Sequence, residues 1–274
     1  MYLFRKRGNP VENYDLIIIG SGAGLNLVDA AVNSGMKVAL AENGPMGGTC
    51  LNRGCIPSKM WIYPADVIRQ IEDGARIGIQ AKLEKADFEL VRQRTWDSVL
   101  KERDGISEAV QEDPRVTPIR DTVSFIGDRT LAASGRKLHA PRIVIAGGAR
   151  SAIPQIKGLD GVDFQTSETI FDIEELPKSM IILGGGYKGC EFGHFFSAFG
   201  TEVTIIQRNS RLLPDEELEI SSVVTRKLGQ HVTLRTAHDV TEVRKGGSGI
   251  EVISRDRTAR TCMTRPRCCW SPLE

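Results

Sequence analysis

The sequence contains the order strand, glycine turn, helix and strand twice, and this repeat restricts the possible folds more than any other feature. In the first copy, YDLIIIGSGAGLNLVDAAVNSGMKVALAEN, an apolar strand at 15–19 runs into Gly20 and Gly22, and a second strand at 37–41 ends before Glu42. In a dinucleotide-binding βαβ unit the first glycine allows a tight turn, the second lets the backbone approach a pyrophosphate, and the helix N-terminus supplies amide donors. Glu42 stands about 20 residues further on, where a carboxylate accepts from a ribose hydroxyl.

The first copy departs from the pattern at its third glycine, because Leu25 occupies that position. A glycine there normally allows the helix to pack closely against the strand. Two outcomes are open. Either the helix and the strand lie slightly further apart, or the neighbouring Gly24 takes the close contact instead.

The second copy, PKSMIILGGGYKGCEFGHFFSAFGTEVTIIQRNSRLL, has the complete pattern. A strand at 180–183 leads into Gly184, Gly186 and Gly189, and a helix and a second strand ending near Ile206 follow. One glycine pattern alone is weak, because plain turns also use glycine. Two patterns that both lie in a βαβ context predict two bound dinucleotides and an α/β fold.

The end of the second copy bears on the choice of nucleotide. Gln207 stands where an acidic residue is expected, and Arg208 and Arg211 follow it. A carboxylate favours a free ribose 2′-hydroxyl, whereas arginine can hold a 2′-phosphate, so these residues favour NADP over NAD. The alternative is that both arginines are ordinary solvated charges.

Length and charge narrow the class of partner. A chain of 274 residues is long enough for two domains, and a formal net charge of +1 gives no electrostatic reason to expect nucleic acid or an anionic membrane. No apolar run approaches the roughly 20 residues that a membrane span needs, and the basic N-terminal stretch MYLFRKRGNP lacks a following apolar segment. We therefore expect a cytoplasmic protein with a small-molecule partner.

The segment GGTCLNRGCIPSK places Cys50 and Cys55 five positions apart in a chain with six cysteines. Six cysteines at irregular spacing do not form a secreted disulfide framework, and this pair lacks the second ligand pair of a zinc site, so no metal is predicted. A structural staple is a poor alternative, because so short a loop removes little unfolded-state entropy. A helix beginning around Pro57, together with Lys59, would lower the cost of a thiolate. The pair is predicted to be redox-active.

The pattern of turns divides the chain. Short β-like runs with turn signals at 117–145 predict a small β-meander, and Pro154 with several glycines marks a boundary. The expected division is a first dinucleotide domain at 1–150, which carries the cysteine pair, a second at 151–261, and an aberrant tail at 262–274.

With two nucleotide units and GGTCLNRGCIPSK, the chain from Asn13 to about Ile253 resembles the pyridine nucleotide-disulfide oxidoreductases. The elements follow the family's order: FAD segment, redox cysteines, β-meander and NAD(P) domain. The resemblance implies Rossmann-like folds, FAD in the domain at 1–150, NAD(P) in the domain at 151–261, and a homodimer.

The resemblance also implies residue roles. Cys50 and Cys55 would form a redox disulfide in which Cys50 exchanges with the substrate and Cys55 makes the charge-transfer contact with FAD. Lys59 would lie near the reactive edge of the flavin, where Glu191 of the other domain pairs with it in a partly dry site. The cofactor-binding residues implied in this way are Gly20, Gly22, Gly24, Glu42, Gly48, Thr49, Lys59 and Gly148 for FAD, and Gly184, Gly186, Tyr187, Gly189, Gln207 and Arg208 for NAD(P).

Two positions at the start of the second helix stand out. Tyr187 matches the family position that covers the flavin until nicotinamide enters. Lys188 replaces the apolar residue usual at its position, which changes the packing expected where the helix begins.

The resemblance implies a flavoprotein that passes electrons between NAD(P)H, FAD and the Cys50–Cys55 pair. CLNRGCIPSK is most similar to dihydrolipoyl dehydrogenases, which act on a lipoyl disulfide. Leu25, KMWIYPADV and Gln207–Arg208 are more similar to an NADPH-dependent mycothione or glutathione-type reductase with a small-molecule disulfide substrate. A reading of a different class is a non-catalytic nucleotide-binding fragment or a gene remnant.

The last residues, TCMTRPRCCWSPLE, are predicted to form neither a strand nor a helix. A one-base deletion upstream of Cys262 would explain them, because codons consistent with a shifted frame permit an apolar strand and a glycine turn. Family members continue beyond this point with a dimer interface and a His-Glu acid-base pair. The resemblance thus implies that the dimerisation domain is absent from the truncated chain, which we expect to be inactive as given.

Overall fold

The computed structural model describes residues 10–247, 249–258 and 260–264, and the backbone of residues 270–272. The chain forms two compact units. The first consists of the residues up to Ile56 and of Asp97–Ala149, and the second consists of Pro57–Trp96 and the residues from Arg150 onward. Each unit contains a parallel sheet with helices, so the predicted α/β class with two Rossmann-like halves is confirmed.

The first unit is built on a four-stranded parallel sheet in the order β4-β3-β2-β8. Ile17 and Ile18 are fully buried although they point to opposite faces, because a parallel sheet is covered on both sides. The helices lie in the segments that connect the strands. The elements of this sheet and its first helix are β2 (Leu16–Ile19), α1 (Leu25–Asn33), β3 (Val38–Ala41), β4 (Val116–Ile119) and β8 (Ile143–Ile145).

A second sheet of the first unit contains the predicted meander. Ser134 and Gly135 form a two-residue turn in which both φ angles are positive, 46° and 75°, as a type I′ hairpin requires. The strand order is β1-β7-β6-β5, and β1 pairs parallel with β7. The strands are β1 (Val11–Asn13), β5 (Ser124–Gly127), β6 (Thr130–Ala133) and β7 (Arg136–His139).

Three helices lie between β3 and β4 in sequence: α2 (Gly48–Arg53), α3 (Cys55–Asp73) and α4 (Phe88–Glu112). Helix α3 begins at Cys55 rather than around Pro57, because Gly54 breaks the chain away from α2 with φ −141° and ψ −116°. Pro57 then lies in the first turn, where an N–H has no helical partner to lose. Within the described residues, no helix combines the length and the apolar character that crossing a membrane requires.

The segment Pro57–Trp96 belongs to the second unit, whereas the expected division placed it within residues 1–150. The reason is aromatic packing that the linear sequence does not show. Trp61 is 1% exposed and stacks on Phe195 with ring centroids 4.7 Å apart. Its edges contact further rings at 5.0–6.1 Å, those of Phe88, Phe171 and Phe196.

The second unit repeats the plan of the first. Its parallel sheet has the order β11-β10-β9-β15, and a three-stranded antiparallel meander comes before the last strand. The elements are β9 (Ser179–Leu183), α5 (Tyr187–Ala198), β10 (Glu202–Gln207), α6 (Leu218–Leu228), β11 (Thr233–Thr236), β12 (His238–Gly246), β13 (Gly249–Asp256), β14 (Thr261–Thr264) and β15 (Trp270–Pro272).

The prediction that the tail forms no strand is wrong. Strand β14 pairs antiparallel with β13, and β15 pairs parallel with β9. Main-chain hydrogen bonds hold β14 to the preceding strand β13 and β15 to the distant strand β9, and the side-chain pattern of the tail does not reveal either pairing. The proposed change of reading frame stays a prediction, and residues 265–269 and 273–274 lie outside the described part.

Candidate active site

The first glycine turn shows how the chain accommodates Leu25 at the third glycine position of the pattern. A Cβ atom on Gly24 would lie 2.2 Å from the carbonyl oxygen of Gly20 and 2.6 Å from Cγ2 of Ile18. Gly24 therefore makes the close contact between helix and strand. Gly20 has φ 99°, and a Cβ there would lie 2.1 Å from the carbonyl oxygen of Ala146, so the turn accepts glycine alone.

The turn at Gly48, which begins α2, contacts the first glycine turn at Gly22. Gly48 has φ 64°, and a Cβ on it would lie 2.4 Å from Cα of Gly22. A Cβ on Gly22 would meet only Cα of Gly48, at 3.5 Å, which is an ordinary van der Waals contact. Thr49 follows in the first turn of α2 and is exposed. Gly148, with φ 70°, lies on the loop after β8.

Glu42 is held as a carboxylate at the end of β3. Its Oε2 accepts from the N–H of Ser21 at 2.9 Å and from the Ser21 hydroxyl at 2.7 Å, and its Oε1 accepts from the N–H of Gly44 at 2.8 Å. Burial raises the pKa of Glu42, but these hydrogen bonds outweigh burial and leave the pKa below its usual range. The charged oxygens stay available as acceptors beside the glycine turn.

Cys50 lies in α2 and Cys55 is the first residue of α3. Both are exposed thiols, and their side chains are hydrogen-bonded to each other. That contact is the main cause that raises the pKa of Cys50, and burial adds to it, while the backbone N–H groups of Cys55 and Ile56 act in the opposite direction. The expected lowering of the pKa by the helix N-terminus is therefore present at Cys50 but is outweighed by the neighbouring thiol.

Lys59 and Glu191 form an ion pair, with Nζ of Lys59 on Oε1 of Glu191. Lys59 lies on α3 and Glu191 on α5, and both belong to the second unit. The side chain of Lys59 is 62% exposed and that of Glu191 is 27% exposed. The two side chains pair, but they do so within one unit rather than between two domains, and the lysine end lies in solvent rather than in a partly dry site.

The second glycine turn has the standard arrangement. A Cβ on Gly189 would lie 2.2 Å from the carbonyl oxygen of Gly184, so Gly189 makes the close contact between α5 and β9. Gly186 precedes the first residue of α5, and no side chain caps that end of the helix. The backbone N–H groups there are available to an anion.

This turn borders a cavity of about 650 Å³ within the second unit. Gln207 is buried and lines the cavity, and Arg208 lines it while remaining exposed. Arg211 is not among the residues that line it and instead donates to the carbonyl oxygen of Pro214 at 3.2 Å. Only the first of the two arginines expected near a 2′-phosphate borders the cavity.

Several cavity residues were not predicted from sequence. Ser151, Thr166, Ser167, Asp215, His238 and Asp239 all line it. Ser151 and Ser167 lie on an irregular connection between β8 and β9, and no motif marks them. Tyr187, which was predicted, is 64% exposed and is not among the lining residues. Among the described residues, no cluster of three or more His, Cys, Asp or Glu side chains suits a metal ion.

The fold and its glycine turns define a protein with two Rossmann-like units and a pair of neighbouring thiols. The sequence profile of the pyridine nucleotide-disulphide oxidoreductases matches residues 14–264, and the chain belongs to this family. The family resemblance drawn from the sequence is confirmed.

Relatives with different activities resemble the chain to a similar degree. A mercuric reductase from Lysinibacillus sphaericus is 36% identical over 220 residues, covering 79% of this chain and 40% of the relative. A mycothione reductase from Mycobacterium tuberculosis is 35% identical over 250 residues, covering 88% and 53%. A dihydrolipoyl dehydrogenase from Bacillus subtilis is 32% identical over 239 residues, covering 80% and 50%.

Among solved structures, the HOCl-induced flavoprotein disulfide reductase RclA from Escherichia coli matches with a TM-score of 0.79 and 28% identity. The match covers 94% of this chain and 56% of that chain. The chain spans about half the length of the curated relatives that it matches, with coverage of 40%, 53% and 50% for the three described above.

Proposed function

We propose that the chain carries the nucleotide-binding and redox parts of a flavin-dependent disulfide oxidoreductase, which passes electrons between NAD(P)H, FAD and the Cys50–Cys55 pair. The observation that carries this proposal is the hydrogen-bonded pair of exposed thiols. The pair begins in the helix that follows Gly48, and the Gly48 turn contacts Gly22 of the first glycine turn. A dithiol and a dinucleotide turn thus lie in one unit.

The first unit has the features that FAD requires. Gly22 lies in the glycine turn before α1, where the backbone of such a turn approaches a pyrophosphate, and the Glu42 carboxylate can accept from a ribose hydroxyl. Gly24, Thr49 and Gly148 lie on the surrounding turns. When bound, FAD supplies two-electron transfer between a nicotinamide and a disulfide.

The thiols perform the exchange with the substrate. The Cys50 thiolate attacks one sulfur of the substrate disulfide, so that a mixed disulfide forms and the other substrate sulfur leaves as a thiolate. Cys55 then attacks Sγ of Cys50, which releases the second substrate thiol and closes the Cys50–Cys55 disulfide. The substrate gains two electrons and two protons, and the cysteine pair loses them. NAD(P)H then supplies the electrons that reduce the Cys50–Cys55 disulfide back to the dithiol. When the sequence runs in reverse, the cysteine disulfide oxidises a dithiol substrate.

We propose two candidates for the substrate and the nicotinamide nucleotide. CLNRGCIPSK favours a lipoyl substrate, as in dihydrolipoyl dehydrogenase. The second candidate is an NADPH-dependent reductase of the mycothione or glutathione type, and it is supported by Arg208, which borders the nucleotide cavity where a carboxylate would favour NAD. Members of the family commonly form homodimers, and sedimentation of the flavin-loaded chain tests whether it does so under either candidate.

The experiment separates flavin binding from thiol chemistry and does not depend on turnover. The purified chain is incubated with FAD, gel-filtered and oxidised with lipoamide, and the alkylated cysteines are then mapped by mass spectrometry before and after NADPH or NADH is added. We expect a Cys50–Cys55 disulfide that either nucleotide opens only when FAD is present. Cys50→Ser is the test variant, and Cys262→Ser is the matched control. A flavin-loaded chain in which this disulfide never forms, or is never opened, would contradict the proposal.

A further inference from the structure

Lys188 reaches towards the nucleotide cavity from the second position of α5. Its Nζ lies 3.2 Å from Oγ of Ser167, and Ser167 lines the cavity. The same Nζ lies 5.9 Å from the ring centroid of Tyr187. The side chain is therefore held back across the start of its own helix rather than extended into solvent.

The donor and acceptor properties of these groups give the contact a direction. An ammonium only donates, so Ser167 must accept through its oxygen lone pair. The hydroxyl hydrogen of Ser167 is then left to donate elsewhere, either to Oγ of Ser151 at 3.2 Å or to an acceptor in the cavity. Ser151 also lines the cavity. The lysine thus orients a hydroxyl donor at the cavity wall.

The positive charge of Lys188 is also not balanced by a carboxylate in an ion pair among the described residues. The side chain is half-buried. The acidic residue one turn further along α5, Glu191, pairs with Lys59. A partly desolvated ammonium beside an uncapped helix N-terminus raises the local positive potential, which favours an anionic ligand.

We propose that Lys188 is a positioning residue for the pyrophosphate of the dinucleotide, acting through the Ser167 hydroxyl. This inference rests on the proposed function, since it requires that the cavity takes a nicotinamide dinucleotide. The glycine turn at Gly184–Gly186 places the pyrophosphate at the start of α5, next to Ser167. Lys188 supplies there both an oriented donor and a positive charge that an apolar side chain would lack.

Binding of fragments to the whole chain tests the proposal without catalysis. The ligands are NADPH, ADP-ribose, which keeps the pyrophosphate but lacks nicotinamide and the 2′-phosphate, and 2′-AMP, which lacks the pyrophosphate. Lys188→Met should weaken NADPH and ADP-ribose alike, by about 5- to 20-fold, as expected for losing a charge-assisted contact in a partly solvated site. The affinity for 2′-AMP should change less than about 2-fold. Lys227→Met, on the exposed face of α6, is the matched control.

A second variant separates positioning from general packing. Ser167→Ala should also weaken ADP-ribose binding, and the double variant should lose little more than Lys188→Met alone, because the lysine acts through the Ser167 hydroxyl. Raising the salt concentration should weaken ADP-ribose binding less in Lys188→Met than in the wild type.

Three results would overturn the proposal. They are an unchanged affinity of Lys188→Met for ADP-ribose, an equal loss for 2′-AMP, and fully additive losses in the double variant. If the wild-type chain bound neither NADPH nor ADP-ribose, the proposed nucleotide function would itself be wrong. Binding by the wild type with an unchanged Lys188→Met would remove the role of Lys188 alone.

Discussion

The backbones of Gly22 and Gly48 meet at a distance that admits no side chain, since a Cβ on Gly48 would lie 2.4 Å from Cα of Gly22. The two glycines belong to different turns, one opening α1 and the other opening the helix that carries Cys50. This contact fixes the helix of the first cysteine against the turn proposed to hold FAD.

Gly48→Ala should destabilise the protein and weaken FAD binding. Its φ of 64° strains any side chain, and the contact with Gly22 forces the backbone to shift. Together these effects should cost about 2–4 kcal/mol of unfolding free energy. Urea unfolding and flavin titration measure the two effects. Gly147→Ala is the control, because a Cβ there meets nothing within 4 Å. Equal midpoints for the two variants would contradict the prediction.

Cys55→Ala should lower the pKa of Cys50. The contact with the Cys55 side chain is the largest cause that raises this pKa, and the N–H groups of residues 55 and 56, which lower it, remain in the variant. The iodoacetamide reaction of Cys50 should therefore reach its half-maximal rate at a lower pH than in the wild type. Peptide mapping of the alkylated product supplies the measurement. An unchanged or higher midpoint would show that burial controls this thiol instead.

Arg208→Ala should weaken NADPH binding by about 10-fold or more and leave NADH binding nearly unchanged, because a guanidinium interacts with a 2′-phosphate that NADH lacks. The contrast with Arg211→Ala sharpens the test, since Arg211 donates to Pro214 and is not among the residues that line the cavity. Fluorescence titration of both reduced nucleotides gives the affinities. Equal losses for both nucleotides would assign Arg208 a general electrostatic effect.

Cys190 should make stability fall in alkaline solution. Burial raises the pKa of the Cys190 thiol to about 12, and the nearby carboxylate of Glu191 adds to this effect. The unfolded thiol ionises near pH 9.0, so the contribution to stability is complete below that pH and is lost as the pH rises towards 12. The stability advantage of the wild type over Cys190→Ala should thus shrink by about 1 kcal/mol between pH 8 and pH 10. Urea midpoints at the two pH values decide the matter, and a constant difference would count against it.

The parts of the fold that rest on local patterns could be predicted from sequence. The strands beside the glycine turns are continuous apolar runs, and a helix begins near the end of each glycine pattern, so β2, β9 and the two turns followed from a few residues. The role of Gly24 did not, because it depends on how close Gly20 and Ile18 lie in space. The sequence alone left open whether Gly24 makes this contact or the helix lies further from the strand.

Non-local packing explains the remaining differences. The segment around Trp61 joined the second unit through rings more than a hundred positions away, such as Phe195. Strand β15 depends on pairing with β9, which lies far away in the sequence. The cavity serines lie on a connection without regular structure, and only the folded chain brings Ser167 to Lys188. Each of these features depends on a contact with another segment of the chain, and a local sequence pattern does not identify that segment.

The common plan of the two units locates what makes them different. Both have the same sheet order and the same meander before the last strand. Cys50, Cys55 and Lys59 all fall between β3 and β4 in the sequence, and the interval between β10 and β11 of the second unit holds the single helix α6. The sheet and its glycine turn are therefore common to both units, and the residues proposed for thiol chemistry lie in the longer of the two intervals.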